Sequence, residues 1–453
     1  MRKLLMVLIA GILLLGCVQV LRGISFVPLG AESYAHMHAS TLAISGQDPL
    51  VMGANWVWQQ PVDFVMQYFS LHGLFALGII CALLSVVLVW MLLHELGIDK
   101  NIQWLATGLW TLSPLFLHMA YVGNGVGLVV VLQLFAFWLV AQKDWRWSIP
   151  AAGLFLIASV HSLWQFVIVA LGLLILAFNE EYRGRAIGLV FGVACGATVL
   201  HLNHLVMWWH LPALNFVEHG SWIADLGGKG GIGIFLVVLG VFGFLQKNYR
   251  RWLVFLFIFV GLAMIERSLL HYVLLVLAYG GGIALHLLLT RKWAIKELQW
   301  ITILLLACGI IFSPLAYARE LSDMQPMPEL FEAMEELGKR TSGDSIILTT
   351  PENGAYIQGI AGRKVVLPLV YYGEDAIARL NMTQTVWRSY NLPEASALIR
   401  AWNITHVFVS PDMVSGGVWD EPNKAFHYLL RDSETFIKVH DEDGYSLWEV
   451  RKL

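Results

Sequence analysis

Charge is what this sequence has least of. Asp, Glu, Lys and Arg make up 13% of its 453 residues, while hydrophobic residues make up 58%. A soluble globular chain carries about 25% charged residues. The deficit, with a mean hydropathy of +0.66, excludes an ordinary soluble protein and points to an integral membrane protein. The net charge of −3 by itself says nothing about nucleic acid; no nucleic-acid partner is expected of a membrane protein of this kind. Cysteine is scarce as well: Cys17, Cys81, Cys195 and Cys308 all lie inside apolar runs. No disulfide is expected from them, and zinc-ligand spacing is absent. A cleavage signal is also missing. Arg2 and Lys3 precede the apolar run Leu4–Leu21, but no small-x-small site follows closely in Gly23–Gly30. The first run is therefore expected to remain as an uncleaved anchor.

What is present is a series of apolar runs. A spanning helix needs about 20 apolar residues. Candidates are 4–22, 74–94, 102–120, 126–141, 148–162, 164–178, 186–207, 229–246, 252–265, 269–290 and 297–317, about 11 spans. The run Ser148–Phe178 is split only by His161 and Ser162 and is taken as a pair. With the N-terminus in the cytoplasm, the inner links and Arg2 and Lys3 hold thirteen Lys and Arg, against Arg22, Lys229 and Arg267 on the outer side. That bias obeys the positive-inside rule. An odd span number then places the tail on the outer face. The expectation is a multi-pass plasma-membrane protein with a transmembrane domain, 1–317, and an extracytoplasmic domain, 318–453.

The tail differs in character. "PELFEAMEELGKR" reads as an amphipathic helix, "PEASALIRAW" as a second and "EPNKAFHYLL" as a third. "SIILTT", "KVVLPLV", "THVFVS" and "FIKVH" read as short strands. Strand–helix alternation predicts a small α/β domain.

The outer links gather the polar chemistry. The long link 23–73 contains "GAESYAHMHAS", with Glu32, Tyr34, His36 and His38, and then a tryptophan-rich stretch. A second outer link, 208–228, carries Glu218 and Asp225 among aromatics, and "IERSLLHY" puts Glu266 and Arg267 at a span mouth. Ionisable residues at a membrane edge are costly to keep, and they point to function by default. The alternative for each is a plain structural one: Glu266 and Arg267 as an ion pair, the histidines as interfacial side chains.

These segments, in this order, resemble the GT-C superfamily of membrane glycosyltransferases. The nearest branch is the archaeal one, related to the oligosaccharyltransferase catalytic subunit and to the polyprenyl-phosphate-sugar-dependent mannosyltransferases. "ESYAH" is similar to that family's acidic motif after the first span, with Glu32 at the acid, Tyr34 at the aromatic and His36 at the histidine. "SGQDPLVMGANWVW", "IADLGGKGGIGIF" with Asp225, "ERSLLHY" with Arg267, and "PENGAYIQGIAGRKVV" resemble later family segments. Two departures stand out. The turn that carries the second acid in oligosaccharyltransferases reads "AYVGNGVG", with Asn124 and no carboxylate. The tail motif Trp-Trp-Asp is replaced by "TTPENGAY". Both argue against oligosaccharide transfer to an asparagine sequon.

The resemblance implies an inverting glycosyltransferase that draws on a polyprenyl-phosphate-linked sugar and serves a lipid, glycan or protein acceptor. An acceptor hydroxyl needs a base, and the leaving phosphate needs positive charge. Glu32 would be the base, and Arg267 the phosphate partner beside Tyr272. Tyr34 and His36 would line the substrate. Asp225 would orient the acceptor, or hold a divalent cation with Glu32 and His36. Oxygen ligands favour magnesium or manganese, though no metal is expected as a requirement. The rival readings are a non-catalytic homologue that binds glycan or protein and, less favoured, a transporter. A transporter would need polar groups at the midplane and often internal repeats; no midplane acid or repeat is present.

Overall fold

The computed structural model describes residues 2–21, 34, 56–122, 125–142, 144–161, 163–178, 180–201, 231–246, 249–264, 269–323, 327–368, 376–421 and 423–451. For 56–74, 125–126, 159–161, 163–164, 197–201, 323 and 376–377 it describes only the backbone. The chain divides into two compact units. The first comprises Met1–Val27, Ala54–Gln60 and His72–Met324; the second comprises Pro28–Gly53, Pro61–Leu71 and Gln325–Leu453.

The first unit is helical. Its helices are α1 (Arg2–Leu21), α2 (Trp56–Glu95), α3 (Lys100–Thr111), α4 (Pro114–Tyr121), α5 (Gly125–Ala141), α6 (Ser148–His161), α7 (Leu163–Ala177), α8 (Arg183–His201), α9 (Ile234–Phe244), α10 (Arg251–Ala263), α11 (Leu270–Thr290) and α12 (Lys296–Asp323). The middle part of α2, 61–71, clusters with the second unit. Among the described residues four stretches are long and apolar enough to cross a membrane: Arg2–Leu21, Phe75–Glu95, Leu270–Thr290 and Lys296–Ser322. Shorter apolar helices include Gly127–Ala141, Gln165–Ala177, Ile234–Phe244 and Arg251–Ala263.

Two boundaries differ from expectation. The run 102–120 is broken into α3 and α4, because Pro114 has no N–H to donate and the Ser113 hydroxyl caps the new helix at the Phe116 amide, 3.2 Å away. The tryptophan-rich end of the first outer link is helical, since α2 begins at Trp56.

At the centre of this unit α11 carries the run Gly280–Gly282. A methyl group on Gly243 would fall on the Gly280 carbonyl oxygen, and one on Gly280 would fall 2.5 Å from the Gly240 carbonyl oxygen. Backbone therefore lies directly on backbone, as small residues permit between membrane helices. Several links meet at one end of the unit. Lys3 donates to Asn101 at 3.0 Å, the Tyr182 hydroxyl donates to the Glu95 carbonyl at 3.3 Å, and Arg185 donates to the Gln142 carbonyl.

The second unit is an α/β layer structure. Helix α13 (Pro328–Arg340) leads into β1 (Ile346–Leu348), α14 (Pro351–Tyr356) and β2 (Lys364–Val365). Then come α15 (Ala376–Arg388), α16 (Leu392–Ala401), β3 (His406–Val409), α17 (Phe426–Leu429), β4 (Phe436–Glu442) and β5 (Tyr445–Val450). The sheet order is β2-β1-β3-β5-β4. β1 is parallel to β2 and β3; β5 is antiparallel to β3 and β4. Alternate residues feed two cores. Ile347 and Phe408 pack with Leu330, Met334 and Leu337 of α13; Leu348, Val407 and Val409 pack with Val386 and Trp387 of α15 and Ile399 of α16. The expected third helix shrinks to α17, because the backbone before it turns at Asn423 (φ 65°) and Ala425 (φ 48°).

Candidate functional site

Tyr34 is the described member of the first-loop motif. It is 1% exposed. Its ring centroid lies 4.8 Å from that of Tyr356, inclined at 54°, and 6.1 Å from that of Phe331, nearly edge-on at 63°. All three belong to the second unit. The socket follows from local sequence. The apolar stripe of α13 faces the sheet through Leu330, Ala333, Met334 and Leu337, which leaves the half-buried Phe331 beside that stripe. Tyr356 closes α14, after which residues 357–361 widen into a π turn that Gly362 ends at φ 64°. Such turns recur at functional sites. Burial, and less strongly the nearby Glu352 and Tyr445, push the Tyr356 phenol up to about 12. It therefore stays protonated at neutral pH. Tilted aromatic pairs of this kind are worth about 0.5–1.5 kcal/mol beyond the area they bury.

Glu32 and His36 lie outside the described residues, as do Asp225 and Arg267.

Tyr272 sits in the helical unit, 4% exposed. Its hydroxyl donates to the Gln133 carboxamide oxygen, with the Gln165 carboxamide oxygen 3.4 Å away. Gln133 in turn donates to Gln165 at 3.3 Å. Both glutamines are fully buried. Three apolar helices, α5, α7 and α11, are thus joined by neutral polar side chains, as membrane interiors require of buried polar groups. Tyr272 is engaged with protein here through both glutamines. The two glutamines were missed in sequence; their signal was an amide inside each of two otherwise apolar runs. A second inter-helix pair joins α4 to α12, with His118 Nδ1 2.8 Å from the Tyr317 hydroxyl.

A cleft of about 440 Å³ in the second unit is lined by acids of α13 and the β4–β5 turn, among them Glu329, Glu332, Glu442 and Asp443, together with Lys339, Arg340 and His440. Glu336 in the same cleft is paired with Lys339 at 3.0 Å and Arg340 at 3.2 Å. Those bonds hold its carboxyl below the ordinary range. Among the described residues no group of three or more His, Cys, Asp or Glu could hold a metal ion. The cation ligands named from the sequence, Glu32, Asp225 and His36, lie outside them.

No family model and no curated protein matches this sequence. Solved structures do match its fold. The oligosaccharyltransferase of Archaeoglobus fulgidus, tethered to an acceptor peptide containing the NVT sequon, is 13% identical. That likeness covers 90% of this chain and 69% of the other, with a TM-score of 0.62. The same archaeal enzyme, AglB, in complex with an inhibitory peptide and a dolichol-phosphate, gives a TM-score of 0.61 at 13% identity, over 90% of this chain and 69% of the other. ArnT from Cupriavidus metallidurans, bound to undecaprenyl phosphate, is 11% identical over 96% of this chain and 97% of its own, with a TM-score of 0.57. Both proteins are GT-C membrane glycosyltransferases.

Proposed function

Starting from a chain with the GT-C fold, we propose that this protein is a membrane glycosyltransferase that moves a sugar from a polyprenyl-phosphate donor to a lipid, glycan or protein acceptor on the outer face. The observation that carries this reading is the end-to-end likeness to a transferase bound to undecaprenyl phosphate. A polyprenyl chain is held in the bilayer by about 0.8 kcal/mol per buried CH₂, so a protein that uses one must present its polar groups at the membrane edge. The proposed topology has about 11 spans. It puts the end that joins Lys3, Asn101, Glu95, Gln142, Tyr182 and Arg185 in the cytoplasm. The proposed domains remain 1–317 and 318–453.

Glu32 takes the acceptor proton and Arg267 faces the donor phosphate. A single in-line attack at the anomeric carbon inverts its configuration. Asp225 orients the acceptor; a magnesium or manganese ion would sit on Asp225, Glu32 and His36. Purified protein supplied with a dolichyl-phosphate hexose and, as source of acceptor hydroxyls, a membrane extract of lipids, glycans and proteins should release dolichyl phosphate as the sugar passes to the acceptor. Glu32→Gln should slow that release by about 10²–10⁴-fold, and Arg267→Ala should raise the donor dissociation constant while Glu266→Gln leaves it unchanged. Wild-type turnover in Glu32→Gln would remove the base. A second reading, a non-catalytic binding subunit, is favoured by Asn124 where the second acid is expected and by "TTPENGAY" in the tail. Donor binding with no turnover in the wild type would decide for it.

A further inference from the structure

We propose that the carboxyl edge of the sheet in the second unit, between the turns that follow β1 and β3, is a binding crevice for a neutral, hydroxyl-rich glycan. The inference rests on the transferase reading for the role of that glycan, which is then the acceptor, but the crevice itself does not depend on it.

The strand order carries it. The parallel strands run β2-β1-β3, so the chain goes from β1 to β2 on one side and then crosses to β3 on the other. The exits from β1 and β3 also part to opposite faces of the sheet. After β1 the chain enters α14 and reaches Ile357, which packs with Leu330 and Met334 of α13. After β3 it reaches Met413, Trp419 and Phe426, which pack with Val386 of α15 and Ile399 of α16. Neighbouring parallel strands that part in this way leave a crevice outside their carboxyl ends, and open α/β sheets bind their ligands there. Its floor is tied: Asn353 Nδ2 after β1 donates to Ser410 Oγ after β3 at 2.9 Å, and Ser410 is buried. Beside it the β4–β5 corner meets the β3 turn, since a methyl group on Gly444 would lie 3.0 Å from the Pro411 side chain.

The side chains of the two turns select the ligand. Glu352 and Asp412 are exposed, one on each turn. Carboxylates only accept hydrogen bonds, and a pair of them repels phosphate. Asn353 spends one amide hydrogen on Ser410; a carboxamide has a second donor and an acceptor oxygen besides. Acceptors flanking an amide suit adjacent hydroxyls, each of which donates and accepts, and a sugar ring presents them so. An aromatic ring stands close by. Tyr445 opens β5 and stacks on Phe408, with centroids 6.1 Å apart. Burial, and then the charge of Asp412, raise its phenol, so that carboxylate lies near the ring. A few polar groups beside an apolar face are the usual means by which a small-molecule site fixes orientation.

The tests use the full-length protein in nanodiscs, with an array of neutral oligosaccharides as probe. A saccharide that binds should protect the backbone amides of 349–353 and 410–417 from hydrogen exchange. Binding without protection at these turns overturns the crevice, and so does an array on which nothing binds. Asp412→Ala and Asn353→Leu should each weaken the bound saccharide by about 10-fold or more. Asp344→Asn, in the exposed turn before β1, should leave its affinity unchanged. Asp412 is itself exposed, so Asp412→Ala decides the matter if Asn353→Leu fails to fold. Wild-type affinity in Asp412→Ala overturns the assignment. Inorganic phosphate or a basic peptide protecting the same turns in place of any saccharide overturns the ligand class. The crevice and the transferase reading fail separately. Saccharide binding at the turns, with no turnover of dolichyl-phosphate hexose in the wild type, defeats the transferase and leaves the crevice standing. Turnover that Asp412→Ala leaves untouched defeats the crevice as acceptor site and leaves the transferase standing.

Discussion

The Tyr272 hydroxyl separates two roles that the sequence could not. As a donor to Gln133 beside Gln165, it fastens helices; as a substrate ligand, it would set donor affinity. Tyr272→Phe should cost about 0.6 kcal/mol and at most about 1.7, read from unfolding in mixed detergent micelles, with donor KM unchanged. Gln133→Leu should cost more, about 1–3 kcal/mol, because it leaves a buried phenol and a buried amide to find new partners. A tenfold rise in donor KM for Tyr272→Phe would return Tyr272 to the substrate. In the second unit His406 is buried on β3, its Nδ1 2.9 Å from the Thr405 hydroxyl. Burial holds its imidazole below the ordinary value, and Glu449 opposite it on β5 counters this less strongly. His427 is lowered in the same sense, by burial and then by Arg431 and Lys438. The unfolded chain therefore takes up these protons first. Their contribution to stability is full above about pH 6.5 and is lost as pH falls from there towards the lowered folded values. Hydrogen exchange on β3 should show protection falling between pH 7.5 and 5.5, and His406→Asn should flatten that fall. Of the candidate site, sequence delivered residue types, acids and aromatics beside an apolar run. It could not tell which tyrosine is buried, because burial of Tyr34 is decided by rings far along the chain.

Among elements, the contact of α9 with α11 is the most demanding. Gly243→Ala and Gly280→Ala each place a methyl group inside the backbone of the facing helix. Overpacking of this kind costs about 1–3 kcal/mol, and it should appear as a lower midpoint of unfolding in SDS. Gly153→Ala and Gly261→Ala meet nothing within 4 Å and should be neutral. Helices were legible wherever apolar length alone decides the matter, as in α1, α11 and α12. Where one residue decides, the period misled: Pro114 divides a run that hydropathy joins. Strands β1 to β4 overlap runs picked out in the sequence, whereas β5, "YSLWEV", and α15, "AIARLNMTQTVWR", were not read at all. β5 is a central strand, bonded on both sides, yet its turn partner is the tight Asp443-Gly444 corner that merges it with β4 in any pattern count. α15 carries a mixed face whose apolar positions, Trp387 among them, make sense only against Trp419 and Phe426.

For the whole molecule, the positive-inside pattern makes one expectation sharp. A cysteine at Asp441, in the outer unit under the proposed topology, should react with an impermeant thiol reagent in intact cells; reaction only after lysis would turn the molecule over. Hydropathy says nothing of where Tyr34 packs: its contact with Phe331 and Tyr356 joins segments some three hundred residues apart, which no local period encodes. That separation has a consequence in time. During synthesis at about 5–20 residues per second, Tyr34 leaves the ribosome tens of seconds before Tyr356 exists. For that interval Tyr34 has neither ring to pack against. A chain that stops anywhere before α13 carries Tyr34, yet never receives Phe331 or Tyr356.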